Sequence, residues 1–322
     1  MTTPASPPLR LAVVGTGHLG RHHARIAAKM PGVVCVGVHD HHPGRAEEVA
    51  GALSVPVLLD LAAVAAQAEA AVVATTTVSH GEVVGELLER GLHVLVEKPI
   101  TASLPEADRL LALAERHDLR LAVGHVERHN PAVAAGLAML KSPRFAEVHR
   151  LAPFTPRSLD VDVVLDLMVH DIQIVREIAG QDVEEVRASG LPVLTPRLDI
   201  ANARLAFAGG FVANLTASRV SSERMRKLRV FASDLYISVD MQARTAAGFR
   251  VAHEEGAARI VPVPVPVEPG DPLERQLADF RDAIRERRKP LVSGEVGREA
   301  LAIAQRILEA IEEHRRKVEG GA

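Results

Sequence analysis

Three glycines constrain this chain more than any other feature: Gly15, Gly17 and Gly20 follow an apolar run over residues 9–14 and open a segment, 19–30, with helical character. In such a G-x-G-x-x-G pattern the first glycine permits a tight turn and the second lets the backbone approach a pyrophosphate. The third lets the helix pack closely on the strand. The loop Gly15-Thr16-Gly17-His18-Leu19-Gly20 therefore turns the first N–H groups of a helix toward phosphate. A second apolar run, 33–38, leads to Asp40, twenty positions beyond Gly20, and a helical stretch follows over 43–52. An acidic residue there accepts hydrogen bonds from an adenosine ribose and repels a 2′-phosphate, which selects NAD over NADP. His41, His42 and Arg45 pull the other way.

The alternation continues. Residues 70–74 and 93–96 read as buried strands with a helix over 81–90 between them, followed by a helix over 104–117 and a strand over 121–123. Strands alternating with helices imply a parallel sheet covered on both faces. Beyond Gly124 the pattern changes. Asn130-Pro131 is a capped helix start, and residues 161–178 predict one long, largely buried helix. From Asp199 the apolar period becomes two: Ala203, Leu205 and Phe207, a Gly209-Gly210 hairpin turn, then Phe211, Ala213 and Leu215. Residues 228–231 and 236–239 read as further strands, so this half holds a mostly antiparallel sheet. The alternating Val and Pro of 261–267 suit an extended edge strand or connector better than a polyproline ligand. Helices over 273–288 and 295–317 complete an α/β organisation. It comprises a tail (1–8), a doubly wound Rossmann domain (9–124) and an α/β domain (125–322) with an open sheet and C-terminal helices.

Composition narrows the partners. There is no Trp and only one Tyr, Tyr236, so base-stacking platforms for single-stranded nucleic acid are scarce. A formal net charge of −3 gives no global pull toward nucleic acid or anionic membranes. No stretch approaches the roughly 18 apolar residues of a membrane helix, and the start has no signal-peptide pattern. The lone Cys35 excludes an intramolecular disulfide and fits a reducing cytoplasm. The expectation is a cytoplasmic protein that recognises a small molecule in a pocket, without nucleic-acid or membrane partners.

Glu97-Lys98-Pro99 follows a strand directly, at the sheet edge where doubly wound folds bind ligands, which places Lys98 to meet a substrate. A surface turn with a solvated ion pair is equally compatible with those three residues alone. Asp166 and His170 lie four apart on the buried helix and so share a face. They are either a satisfied structural pair or an imidazole oriented for acid/base work. Arg219, Arg224, Arg226, Lys227 and Arg229 form a basic stretch that suits a diphosphate or a solvated face, with Arg219 the foremost candidate. No cysteine cluster or H-E-x-x-H pattern points to a metal.

Taken together, these motifs resemble the Gfo/Idh/MocA family of sugar and inositol oxidoreductases. The matching segments are Gly15-x-Gly17-x-x-Gly20, Thr75-Thr76-Thr77 with His80, Gly91-x-His93-Val94-x-Val96-Glu97-Lys98-Pro99, Asp166-x-x-x-His170, and Gly209-Gly210 followed by Ser218-Arg219. The resemblance implies NAD held by the glycine loop, Asp40, Thr75, Thr76, His80, Glu97 and Lys98. It also implies a catalytic set of Lys98, Asp166 and His170, and a homodimer or homotetramer formed through the C-terminal sheet. Segments 124–131, 165–172 and 218–221 look like members that oxidise C3 of UDP-N-acetylglucosamine, in routes that include lipid A. That likeness implies substrate contacts from Lys98, His125, Arg128, Asn130, Asp166, His170 and Arg219. Lys98 is then the acid/base, while His170 orients the hydroxyl or shares the proton transfer. An inositol or free sugar as substrate, or a non-catalytic dinucleotide-binding regulator, are the competing expectations.

Overall fold

Each apolar run of the N-terminal half read as a strand forms one in the computed structural model, which describes residues 7–155, 161–254 and 257–320. The expected tail lies outside the described residues except for Pro7 and Pro8. Two units are distinct: one runs through His125 and takes up Leu273–Arg298, the other comprises Val126–Pro272 and the chain from Glu299.

The first unit alternates β1 (Leu9–Val14), α1 (His18–Ala27), β2 (Val33–His39), α2 (Pro43–Leu53), α3 (Leu61–Gln67), β3 (Ala70–Val73), α4 (Thr77–Glu89), β4 (His93–Glu97), α5 (Leu104–Arg116) and β5 (Leu121–Gly124). Among the described residues its sheet has the order β2-β1-β3-β4-β5, and every pair is parallel. All four residues of β3 and of β5 are buried, as a sheet covered on both faces requires. Helix α4 starts before the expected position 81, because Thr76 adopts the extended N-cap conformation and Gly81 is a packing residue, not a break. A Cβ at Gly81 would stand 2.9 Å from the Glu106 carboxylate of α5.

The second unit contains a 3₁₀ turn (Val126–His129), α6 (Pro131–Ala138), β6 (Pro143–Leu151), a π-helical turn (Val164–Met168) and α7 (Val169–Ala179). The strands β7 (Val183–Leu191), β8 (Ile200–Phe207), β9 (Val212–Ser218), β10 (Met225–Ala232), β11 (Leu235–Asp240), β12 (Thr245–Glu254) and β13 (Ala257–Val263) follow. With β6 they form a sheet ordered β13-β12-β11-β10-β6-β9-β8-β7, antiparallel throughout except for the β6–β9 pair. Gly209 and Gly210, each at φ +87°, close the β8–β9 hairpin, a conformation that side-chain-bearing residues resist. The Val-Pro tract supplies the end of edge strand β13, where missing N–H donors do no harm.

Two expectations need correction. Residues 125–322 are not one continuous domain: α8 (Pro272–Arg285) and the start of α9 (Gly294–Glu319) belong to the first unit. Leu277 and Phe280 of α8 are buried in the core with Leu11, Val13 and Val38, and the Val123 N–H donates to Val292 O at 3.0 Å. Nor is 161–178 a single α-helix, since the Val169 N–H reaches back to Val164 O, an i→i−5 bond. Both ends of that segment are pinned from outside. Leu198 N–H donates to Asp162 Oδ1, Val163 N–H donates to Leu198 O, and Arg219 donates to Val161 O at 2.7 Å. Asp171 is gripped by Arg150, so the surplus residue is absorbed as a π turn.

Alternate residues of the large sheet face a core of Val148, Leu215, Val230 and Ile237, into which α7 and the later part of α9 insert Ile172, Ala304 and Ile307. The other face carries a cross-strand row of Phe145, Phe231, Tyr236 and Phe249, paired in register from β6 to β12. Successive ring centroids lie 5.8, 4.8 and 6.0 Å apart.

Candidate functional site

At the carboxyl end of β1 the glycine loop has three distinct local demands. Gly15 sits at φ +88° with Ala74 O only 2.6 Å from where its Cβ would lie, and a Cβ on Gly20 would collide with Gly15 O. Those two glycines are required by the fold itself. A Cβ on Gly17 would meet nothing within 4 Å, so the fold has no need of glycine there. The open space lies at the N-terminus of α1, whose first N–H groups have no intrahelical acceptor, and it fits a dinucleotide pyrophosphate.

Asp40, just beyond β2, faces this loop. Its Oδ2 accepts from the Thr16 N–H at 2.7 Å and the Thr16 hydroxyl at 3.0 Å, and its Oδ1 accepts from the His42 N–H at 2.9 Å. Burial alone would raise its pKa. The His42 and Thr16 donors and the charge of Arg45 outweigh that and hold the carboxyl below its ordinary range. Asp40 thus stays charged, braces the loop and opposes a nearby phosphate. At the end of β3, Thr75, Thr76 and Ser79 form a hydroxyl cluster at the start of α4, with Ser79 donating to Thr75 Oγ1 at 2.9 Å.

Glu97 closes β4 beside Gly124 of β5, and a Cβ at Gly124 would come within 2.8 Å of its carboxylate. The Glu97 Oε1 accepts from Nε2 of His23, a fully buried residue of α1, at 2.7 Å. Lys98 follows, half-buried, joined to Pro99 by a cis peptide. His80 directs Nδ1 at Pro99 O, 2.9 Å away. Burial lowers its pKa, against the opposing pull of the Pro99 and Thr75 carbonyls and of Glu97. His125 is driven down to about 3, first by complete burial and then by the charge of Lys98, so it is neutral at working pH.

In the second unit Asp166 lies within the π turn and His170 in the first turn of α7, both half-buried. Asp171, the next residue, is fully buried and accepts a bidentate pair of hydrogen bonds from Arg150 of β6, at 3.0 and 2.7 Å. Arg150 also donates to Glu127 at 2.9 Å. Burial would raise the Glu127 pKa, but Arg150, the Asn130 amide and Arg226 hold it down. This ionic network stands directly behind His170 along the chain, and sequence reasoning missed it. Its only signal was an aspartate following the histidine. Asn130 caps α6 by accepting from the Ala132 N–H, while its amide donates to Glu127 and to Met241 O. Arg128 pairs with Glu177 of α7. Arg219 is buried against Val161 O and Asp199, and Asp199 in turn accepts the N–H groups of Val193, Leu194 and Thr195. Asn130 and Arg219 thus brace local structure. Among the described residues no group of three or more His, Cys, Asp or Glu could hold a metal ion.

A model of an oxidoreductase family with an NAD-binding Rossmann fold matches residues 9–125, and a GFO/IDH/MocA C-terminal domain matches 142–238. UDP-N-acetylglucosamine 3-dehydrogenase of Acidithiobacillus ferrooxidans is 37% identical over 94% of this chain and 97% of its own. Its solved structure superposes with a TM-score of 0.88, covering 96% of this chain and 99% of that one at 36% identity. Myo-inositol dehydrogenase Hyg17 of Streptomyces leeuwenhoekii is 34% identical over 59% of this chain and 62% of its own.

Proposed function

The chain belongs to the Gfo/Idh/MocA family of NAD-binding oxidoreductases, and from that premise we propose that it oxidises C3 of UDP-N-acetylglucosamine, or of a related nucleotide sugar, to the ketone. One observation carries this reading. Lys98, Asp166 and His170 are all present, in motif order, in a chain similar along nearly its whole length to a UDP-N-acetylglucosamine 3-dehydrogenase. The loop from Gly15 to Gly20 with Asp40, Thr75, Thr76, His80 and Glu97 would hold NAD, which when bound would supply the hydride acceptor. The sugar carbon would lose its hydrogen with the bonding pair as hydride, and the hydroxyl proton would pass to the lone pair of the unprotonated Lys98 amine, leaving a C=O bond. His170, set by Asp166, holds the hydroxyl for that transfer. Arg128 contributes to the substrate surface, whereas His125 is fully buried and Asn130 and Arg219 act through the segments they brace.

The row of Phe145, Phe231, Tyr236 and Phe249 supports self-association through the outer face of the large sheet, giving a homodimer or homotetramer. No helix among the described residues is long and apolar enough to cross a membrane, and the lone Cys35 fits a cytoplasmic site of action in making a 3-amino sugar for lipopolysaccharide. The deciding experiment is a screen of NAD reduction and thermal stabilisation with UDP-GlcNAc, UDP-GalNAc, their uronates, free sugars and inositols. UDP-GlcNAc is expected to support turnover, and UDP alone to raise the melting temperature. Turnover confined to an inositol, which similarity to the Streptomyces enzyme favours, would replace this reading.

A further inference from the structure

The buried face of α1 is otherwise apolar or small, with Gly20, Ala24, Ile26 and Ala27, yet it carries His23 at zero exposure. Packing does not call for an imidazole there. Its Nε2 meets Glu97 at 2.7 Å, while Nδ1 is buried with no hydrogen-bond partner, a burden a packing residue would not bring. Across the same carboxylate stands Gly124, where any Cβ would come within 2.8 Å of Glu97 Oε2. Two separate elements are therefore shaped around one carboxylate: α1 supplies a donor and β5 supplies room. The other charged or titratable groups around it are His80 from α4, Lys98 next in the chain and His125 beyond β5, whose electrostatics are coupled to Glu97 or Lys98.

Sheet order gives this carboxylate a place along the cofactor. Asp40 lies beyond β2, on one side of β1, so the adenosine half of a dinucleotide lies there. The nicotinamide half then extends to the other side, over the ends of β3 and β4, where Glu97 and Lys98 stand. We propose that His23 is a positioning residue: its hydrogen bond sets the Glu97 carboxylate, and through it the nicotinamide end of the dinucleotide site beside Lys98. This rests on the NAD-dependent reading of the site but not on the identity of the sugar.

The test compares binding of NAD and of ADP-ribose, which lacks the nicotinamide, to the full-length protein and to His23→Met, His23→Asn and His23→Gln, with melting temperatures for each. In His23→Gln the amide nitrogen takes the place of Nε2, whereas in His23→Asn it falls short. Met and Asn are expected to weaken NAD by about tenfold or more while leaving ADP-ribose within about twofold, and Gln is expected to restore most of the loss. Equal losses for both ligands would mean that His23 only supports the glycine loop, and no loss for either would mean that it positions nothing. Both results overturn the proposal. If His23→Met does not fold, the contrast between Asn and Gln decides by the same criteria. Failure of the sugar assignment would leave these binding results untouched.

Discussion

Replacing Lys98 by Met keeps the length of the side chain and removes its amine. Turnover is expected to fall by at least about 10²–10⁴ while NAD still binds, and a near-normal rate would remove Lys98 from the chemistry. His125 makes a different prediction, about pH. Its folded pKa, about 3, lies below the ordinary 6.5, so between those values the unfolded chain binds a proton that the folded chain refuses. Its contribution to stability is fully present above about 6.5 and is lost as pH falls through that window. Denaturant midpoints measured from pH 7 to pH 4 should fall less steeply in His125→Gln than in the parent. Identical slopes would assign the acid response to other groups. Lys98, Asp166 and His170 could be proposed from the sequence because motif spacing points to chemistry. The partners His23, Arg150 and Glu127 could not, because each meets its carboxylate or guanidinium only after distant elements pack.

Within the glycine loop, substitution separates folding from binding. Gly20→Ala places a methyl against Gly15 O and is expected to destabilise the fold by at least about 1–3 kcal/mol, read as a drop in melting temperature. Gly17→Ala meets open space, so its melting temperature should stay near that of the parent while NAD affinity falls by about tenfold or more. A Gly17→Ala protein that binds NAD normally would show that the pyrophosphate lies elsewhere. Local pattern made β1 through β5 readable, since strands buried on both faces, as β3, β4 and β5 are, leave uninterrupted apolar runs, and edge strand β2 carries one as well. It did not reveal α3, which is short, or the π turn before α7. That turn arises because bonds from Leu198, Arg219 and Arg150 hold both ends of the segment, and no local propensity encodes such a constraint.

For the molecule as a whole, the outer face of the large sheet carries four of the chain's eight Phe and Tyr side chains in one row. Phe231, 37% exposed, lies within it, and Phe231→Asp is expected to shift the mass measured by light scattering toward the monomer. An unchanged mass would exclude this face as the contact. By itself the sequence determined the dinucleotide-binding fold, the change from period 3.6 to period 2, and the oxidoreductase family, because each is written in residues close together along the chain. Only the tertiary structure decided that α8 returns to the first unit. Its apolar stripe of Leu273, Leu277, Phe280 and Ile284 suits any apolar surface, and the core it joins includes Leu11, Val13 and Val38 of strands more than two hundred residues earlier. The glycine loop shows the other side: its pattern already separates the three glycines, and the packed fold adds the contacts, Ala74 O against Gly15 and Gly15 O against Gly20, with open space at Gly17.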